Sequence, residues 1–206
     1  MPVDAPCPEN ALRKFLAEQG IGPDQPVHLA VSGGMDSMAL LHAAHAVHSH
    51  LIVLHLDHGL RAASADDRAF VEHTAAALGL PVASHRIEGL IQTAADRGEG
   101  LEAAARAARY GWFGTQVSAG GVLLTGHHAD DQRETRLLHW LRGSRADSWS
   151  GMLPLTEERG YAIGRPFLGL SLRDLQQWMV QQGHPWREDD SNGDPAFLRN
   201  RIRLEL

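Results

Sequence analysis

The sequence predicts an α/β fold with a doubly wound, mostly parallel five-stranded sheet and helices on both faces. Four short apolar segments rich in β-branched residues are interpreted as strands buried on both sides, and a fifth, shorter one follows. Helical patterns separate these segments, and this alternation is typical of βαβ units. The predicted strands are residues 27–31, 51–57, 81–87, 121–126 and 161–166.

The helices are predicted from apolar residues at helical spacing and from their end signals. Residues 1–24 form an N-terminal extension with one helix, and residues 167–206 form a helical tail that closes the site. In that tail Ser171 and Asp174 make a variant of the capping box, and Gly183 ends the helix. The predicted helices are residues 9–19, 35–48, 64–78, 100–118, 130–142 and 171–182.

Composition sets the broad class of protein. A chain of 206 residues with 43% hydrophobic residues fits one domain with a buried core. The sequence has no transmembrane-length apolar run and no signal-peptide pattern at its start. Cys7 is the only cysteine, which excludes an internal disulfide and a CxxC site, so we expect a cytoplasmic protein. The net charge of −6 does not suggest an avid nucleic-acid binder.

A glycine turn, SGGMDS, joins the first predicted strand to the next helix. A Walker phosphate loop is excluded because the only lysine is Lys14, well upstream of the turn. Gly33 and Gly34 let the backbone turn sharply and approach an anion, and Ser32 and Ser37 add hydroxyl groups. The helix N-terminus that follows favours negative charge. The turn therefore predicts phosphate binding without a lysine.

Asp36 is the unexpected residue of this turn, because a carboxylate repels phosphate. A divalent cation between the two groups removes the conflict, as magnesium does with nucleotide phosphates. A plain helix N-cap, with Asp36 balancing the dipole, is the alternative interpretation.

A second motif, GHHADDQRET, opens the helix after the fourth strand. Asp130 and Asp131 lie four and three residues before Glu134, so the acids cluster near one surface, and His127 precedes them. A solvated, well-capped helix would show the same acids. The functional interpretation is recognition of a cationic amine, which a nearby carboxylate can hold and deprotonate.

Two further patterns leave alternatives open. Glu102, Arg106 and Arg109 form one helix stripe, which is either a surface salt-bridge ladder or a cleft wall that binds phosphate. Arg199, Asn200 and Arg203 near the end of the chain are either a basic patch or part of the site. The histidines of HAAHAVHSH (42–50) have metal-like spacing, but no cysteine or carboxylate accompanies them, so surface histidines are favoured over zinc.

The glycine turn resembles the pyrophosphate-binding loop of the N-type ATP pyrophosphatase, or PP-loop, superfamily. The whole chain is similar to the tRNA(Ile)-lysidine synthetase family, because that family's motifs occur here in its order. Together they span residues 27–203. They are SGGMDS, HLDHGLR, LEAAARAARYGWF, TGHHADDQRET, LRGS, GRPFL and REDDSNGDPAFLRNRIR.

The resemblance implies an enzyme that uses ATP and Mg²⁺, with free L-lysine and the CAU-anticodon isoleucine tRNA as substrates. The wobble cytidine oxygen attacks the α-phosphate of ATP, pyrophosphate leaves, and the lysine amine then displaces AMP. Implied catalytic residues are Asp36, His127, Asp130 and Glu134. Implied ATP-binding residues are Ser32, Gly33, Gly34, Met35, Asp36, Ser37, His55, Asp57 and Gly126, with Asp36 also a candidate magnesium ligand. Implied lysine- or tRNA-binding residues are Glu102, Arg106, Arg109, Asp131, Arg199, Asn200 and Arg203.

Rival functions share parts of this pattern. A tRNA thiolase would recruit sulfur through cysteines, and an amide-forming synthetase would need an ammonia source. A nucleotide-sensing module would not need the acids at 130–134. Members of the family often continue into domains that grip tRNA, and we expect residues 1–206 to be a single catalytic domain without them. The sequence is compatible with a homodimer and predicts no membrane partner.

Overall fold

The computed structural model describes residues 7–59, 64–141 and 150–188, and only the backbone of Glu102. Within those residues strands and helices alternate along the chain. The helices are α1 (Pro8–Glu18), α2 (Met35–His45), α3 (Ser64–Ala77), α4 (Leu90–Arg97), α5 (Leu101–Gln116), α6 (Ala129–Leu141) and α7 (Leu172–Gln182). The strands are β1 (Val27–Ala30), β2 (Leu51–Asp57), β3 (Val82–Arg86), β4 (Val122–Leu124), β5 (Leu155–Glu158) and β6 (Tyr161–Gly164).

The strands form one sheet in the order β3-β2-β1-β4-β6-β5. All neighbouring strands are parallel except β5 and β6, which pair antiparallel. The predicted doubly wound, mostly parallel class is confirmed, but the predicted count of five strands is wrong, because β5 adds a sixth. A two-residue turn joins β5 to β6, with Arg159 at φ 50° and Gly160 at φ 88°. Positive φ at both positions suits a tight hairpin.

Helices cover both faces of this sheet. On one face α1, α2, α3 and α7 pack on alternate strand residues such as Leu29 and Leu124, which are essentially inaccessible to solvent. On the other face α5 places Tyr110 and Phe113 against Leu54 and Leu123. Burying one such side chain stabilises the fold by about 1.5–3 kcal/mol. The period-2 alternation of the strands therefore fixes which helix lies on which face.

Two elements depart from the sequence-based expectations. Helix α4 was not predicted, and it packs on α5 through Leu90 and Ala94. The third strand was expected to be buried, but β3 is an edge strand in which no residue is fully buried. The capping box of α7 is confirmed, since Ser171 and Asp174 bond each other's backbone N–H, and Gly183 ends that helix in the left-handed conformation.

The topology places the glycine turn at the carboxyl end of β1, an inner strand of the sheet. From β1 the chain moves outward to β2 and β3, and β4 then returns to the opposite side of β1. Ligands of open α/β sheets bind at such a reversal, beyond the carboxyl ends of the strands. None of the helices in the described ranges is long and apolar enough to cross a membrane.

Candidate active site

A cavity of about 640 Å³ lies beyond the carboxyl ends of β1, β2 and β4. Nine of the residues predicted for the site line it: Ser32, Asp36, Ser37, His55, Asp57, Arg109, Gly126, His127 and Asp131. Apolar and aromatic side chains form part of its wall: Ala30, Val31, Leu54, Leu56, Leu101, Tyr110 and Phe113. Residues of SGGMDS, HLDHGLR and TGHHADDQRET therefore line one common cavity at the ends of these three strands.

The glycine turn is organised around the Ser37 hydroxyl. The backbone N–H groups of Ser32 and Gly33 donate to Ser37 Oγ, at 3.1 and 3.2 Å. Ser37 Oγ in turn donates to the Gly34 carbonyl at 2.9 Å. Helix α2 begins directly after Gly34. The N–H groups of its first turn have no partner within the helix, so this end of the turn is suited to an anion.

Arg187, which follows α7, contacts the glycine turn. The Arg187 N–H donates to the Gly33 carbonyl at 2.9 Å, while its side chain pairs with Asp67 at 3.3 Å. Asp67 lines the cavity. Arg187, within the predicted tail of residues 167–206, thus lies against the glycine turn, and residues 189–206 are outside the described part of the chain.

Asp36 contacts the start of the acidic helix through one histidine. Its Oδ2 lies 3.6 Å from Nε2 of His128, a side chain that is only 2% exposed. Asp131 Oδ2 lies 3.4 Å from the same nitrogen, and Asp130 Oδ2 lies 3.5 Å from Nδ1. His128 was not among the predicted site residues. Its ring contacts acids from two motifs that are about a hundred residues apart in sequence.

The pKa of His128 reflects two opposing effects. Burial is the largest and lowers the pKa, because it disfavours the imidazolium. The nearby Asp36 carboxylate and the charges of Asp131 and Asp130 together outweigh burial, so the pKa is raised above its usual value. The negative charge of the surrounding carboxylates thus dominates this end of the cavity.

The acids of α6 differ in where they lie. Asp131 lines the cavity and is 6% exposed, while Glu134, one turn further along, is 3% exposed and does not line it. Asp130 is more open, and its carboxylate pairs with Arg133 and accepts the Leu172 N–H at 2.7 Å. Asp130 therefore holds the N-terminus of α7, whereas Asp131 is the acid of this helix that reaches the cavity.

Histidines occupy the end of β2. The Nδ1–H of His55 donates to the Val31 carbonyl at 2.9 Å, and burial lowers the pKa of His55. Asp57 Oδ1 accepts the Gly59 N–H at 2.7 Å. Nη2 of Arg109 lies 3.0 Å from Nε2 of His58. Burial, followed by the Arg109 charge, lowers the pKa of His58 to about 4, so His58 is neutral near pH 7 and accepts this hydrogen bond.

Arg109 is therefore a cation on the β2 side of the cavity whose bonded partner carries no charge. Its guanidinium keeps donors for an anion, and Arg binds phosphate and carboxylate through paired N–H groups. Arg106, predicted to share its stripe, lies over the Tyr110 ring, 4.7 Å from the centroid, and does not line the cavity. The two arginines thus have different surroundings.

The remaining predicted residues fall into two groups. Gly33, Gly34 and Met35 belong to the turn or the first residue of α2 but do not line the cavity. The Glu102 side chain and Arg199, Asn200 and Arg203 lie outside the described part of the structure. Besides His58 and His128, the prediction missed Thr125, whose Oγ1 lies 2.8 Å from Nδ1 of His127. Its position between β4 and Gly126 was the available sequence signal.

Asp36 is the candidate ligand for a divalent cation at this site. Within the described ranges, no group of three or more His, Cys, Asp or Glu residues is arranged as a metal site. Oδ1 of Asp36, however, is buried without a hydrogen-bond partner among the described residues. An unpaired buried carboxylate oxygen calls for a donor or an ion. The Asp36 carboxylate fits a magnesium ion, since Mg²⁺ is commonly held by one or two protein carboxylates.

Comparison with known families agrees with this arrangement. Residues 8–206 match the family model described as the PP-loop domain. The chain belongs to the PP-loop family. The glycine turn at Ser32–Ser37 occupies the strand-to-helix junction of this PP-loop domain.

Curated relatives point to one branch of the family. A protein named tRNA(Ile)-lysidine synthase from Thermus thermophilus is 40% identical over 186 residues, covering 89% of this chain and 35% of the relative. One of the same name from Geobacter sulfurreducens is 41% identical over 212 residues, covering 100% of this chain and 44% of the relative. This PP-loop chain therefore spans less than half the length of these relatives.

Solved structures confirm the fold. A U34-tRNA thiolase from Methanococcus maripaludis superposes with a TM-score of 0.74 at 13% identity, covering 96% of this chain and 68% of the thiolase. An NH3-dependent NAD synthetase from Campylobacter jejuni gives a TM-score of 0.56 at 13% identity, covering 96% of this chain and 80% of that protein. At this identity the likeness extends to the fold alone.

Proposed function

We propose that this PP-loop chain attaches free L-lysine to C2 of the wobble cytidine of the CAU-anticodon isoleucine tRNA, using ATP and Mg²⁺. The observation that carries the proposal is the meeting of Asp36 and Asp131 at one end of the cavity. This pairs the loop expected to hold ATP with acids suited to an ammonium group. The relatives named tRNA(Ile)-lysidine synthase support the same reaction.

ATP would bind with its phosphates at the first turn of α2. The N–H groups of the turn suit an anion. Gly126, at the neighbouring strand end, allows the backbone there to approach the turn closely. The apolar wall around Tyr110 and Phe113 suits the adenine ring, with His55 and Asp57 beside it. Mg²⁺ would offset the repulsion between the phosphates and Asp36, and Asp36 Oδ1 is the oxygen available to it. Gly33, Gly34, Met35 and Ser37 would shape this phosphate end.

Lysine would bind on the acidic side. Asp131 would hold its ammonium group, with Glu134 and His127 as the predicted acid-base groups. The amine must lose a proton to act as a nucleophile, since its ordinary pKa is about 10.4. Asp130 stays a predicted catalytic residue, although its contacts with Leu172 and Arg133 favour a role in holding α7.

The reaction balances in two steps. The cytidine O2 forms a bond to the α-phosphorus of ATP, and the bond to the β-phosphate oxygen breaks, which releases pyrophosphate. The lysine amine then bonds to C2, the C2–O bond breaks, and AMP leaves with the oxygen. The amine proton passes to a carboxylate or His127. A tRNA substrate would place this reaction in the cytoplasm, and Arg106, Arg109, Arg199, Asn200 and Arg203 are the predicted contacts to it or to ATP.

The proposal is tested by following labelled lysine into RNA. The chain is incubated with ATP, Mg²⁺, labelled lysine and a CAU-anticodon isoleucine tRNA transcript, and the RNA is digested to nucleosides. We expect label in one modified cytidine, and none with a transcript carrying uridine at the wobble position. Incorporation from ammonia or a sulfur donor, without lysine, would contradict the proposal.

A further inference from the structure

Among the described titratable residues at the cavity, the His128 side chain is the most enclosed. It follows His127 at the start of α6, its backbone pairs with Phe167, and the residue is 1% exposed. Its ring lies within 3.6 Å of carboxylate oxygens from Asp36, Asp130 and Asp131. An imidazole among three carboxylates does more than fill space in the core, because it sets how closely these mutually repelling groups can approach one another.

The hydrogen bonds of His128 determine which nitrogen carries the proton. The Asp130 N–H donates to Nδ1 at 3.2 Å, so Nδ1 is an acceptor in the neutral ring. The proton of the neutral ring therefore resides on Nε2, the nitrogen that lies between Asp36 and Asp131. The His128 backbone N–H also donates to Asp131 Oδ2 at 3.1 Å, which fixes that carboxylate a second time.

We propose that His128 is a positioning residue whose Nε2–H lies between Asp36 and Asp131 and holds both carboxylates at their places in the cavity. The side-chain distances are long for hydrogen bonds and within the range of ion pairs. Nε2 carries hydrogen in either charge state of the ring, so this role does not depend on titration. It does not require contact between His128 and substrate.

This inference rests on the proposed function, in which Asp36 serves the ATP side and Asp131 the lysine side. His128 would then set the distance between the two half-sites. Misplacing reacting groups by about 1 Å can lower a rate about 100-fold. Losing the Nε2–H should accordingly reduce kcat more than it weakens the binding of either substrate alone.

A spectroscopic experiment tests the placement without relying on activity. In the chain labelled with ¹⁵N-histidine, the His128 resonances should show a hydrogen on Nε2 both in the neutral ring and in the imidazolium. Asp36→Asn and Asp131→Asn should each shift the Nε2 resonance, while Asp67→Asn, another acid of the cavity wall, should leave it in place. A neutral ring with no hydrogen on Nε2, or a resonance insensitive to Asp36→Asn, would overturn the inference even if lysidine forms.

Kinetics give a second arm with paired variants. His128→Gln can place an amide N–H near the position of Nε2, whereas His128→Leu fills the space without a donor. We expect His128→Leu to lower kcat about 100-fold and His128→Gln to restore at least about a tenth of the wild-type value. Equal losses in both variants, or full activity in His128→Leu, would overturn the inference. Absence of the reaction in the wild-type chain, with the expected resonances intact, would count against the proposed function alone.

Discussion

Gly126 lies directly against the backbone of Asp36. A Cβ at position 126 would stand 2.6 Å from the Asp36 carbonyl oxygen and 3.2 Å from the Ser37 nitrogen. The end of β4 and the first turn of α2 therefore meet with no room for a side chain. This contact is what brings the glycine turn and the acidic helix to the same end of the cavity.

Gly126→Ala should displace the first turn of α2, because backbone atoms rather than a flexible side chain occupy the space. We expect ATP affinity to fall about tenfold or more and the free energy of unfolding to fall by about 1–3 kcal/mol, as overpacking does. Calorimetric titration and urea unfolding measure the two effects. Gly169→Ala is the matched control, since a Cβ there has no atom within 4 Å. Equal behaviour of the two variants would contradict the account.

Ser37→Ala removes the oxygen that accepts the Ser32 and Gly33 N–H groups. Leaving such donors unpaired costs about 1–3 kcal/mol, and the turn should lose its preformed shape. We expect both lower stability and weaker ATP binding. Ser49→Ala is the comparison, because Ser49 is exposed and its hydroxyl donates to the Pro23 carbonyl. Unchanged ATP affinity in Ser37→Ala would mean that the hydroxyl does not organise the turn.

Asp131 and Asp130 should respond differently to substitution. Asp131→Asn removes a negative charge at the cavity, so we expect the KM for lysine to rise about tenfold or more, the scale of a lost charged hydrogen bond. Asp130→Ala removes the acceptor of the Leu172 N–H and should lower stability by about 0.5–2 kcal/mol, as loss of a helix cap does. Steady-state kinetics and urea unfolding separate the two. A larger lysine effect from Asp130 would reverse the assignment.

Acid should destabilise the fold through its buried histidines. Burial, aided by His184 and His45, lowers the pKa of His42 to about 4 from its ordinary 6.5, and its ring stacks on His184 at 3.7 Å. Between these pH values the unfolded chain binds the proton more tightly, so stability present above pH 6.5 is lost as the pH falls through 4.

His42→Phe keeps an aromatic ring against His184 and removes this proton site. The decrease in the urea midpoint between pH 7.5 and pH 5 should be smaller in this variant than in the wild type. His73→Phe, on the exposed side of α3, serves as the control and should retain the wild-type decrease. An identical decrease in all three proteins would exclude His42 as a source of the pH dependence.

The parts of the fold that were predictable are those buried on both faces. The strands β1, β2 and β4 are continuous apolar runs because helices cover them on both sides. The hairpin strand β5, with the sequence LTEE, lacks such a run, and only the Arg159-Gly160 turn indicated it. Helix α4 escaped prediction because just Leu90 and Ala94 are buried and Ile91 is 68% exposed.

The sequence predicted which motifs form the site, but it did not predict which side chains of those motifs point into the cavity. The sequence shows two adjacent histidines, but whether His127 or His128 enters the cavity depends on how β4 leads into α6. In the same way Arg106 and Arg109 share a helix stripe, and the rotation of α5 against the sheet decides that Arg109 lines the cavity. Sequence spacing determines neither the path from β4 into α6 nor the rotation of α5, because both are set by tertiary packing.

The most direct test of the central claim follows the α-phosphate of ATP. AMP and pyrophosphate are measured with α-labelled ATP in the presence and absence of lysine and of the isoleucine tRNA transcript, for the wild type and Asp36→Asn. We expect full turnover to AMP only when both substrates are present, and none in Asp36→Asn despite an unchanged fold. Repeated turnover to AMP without lysine, or equal turnover by Asp36→Asn, would contradict the central claim.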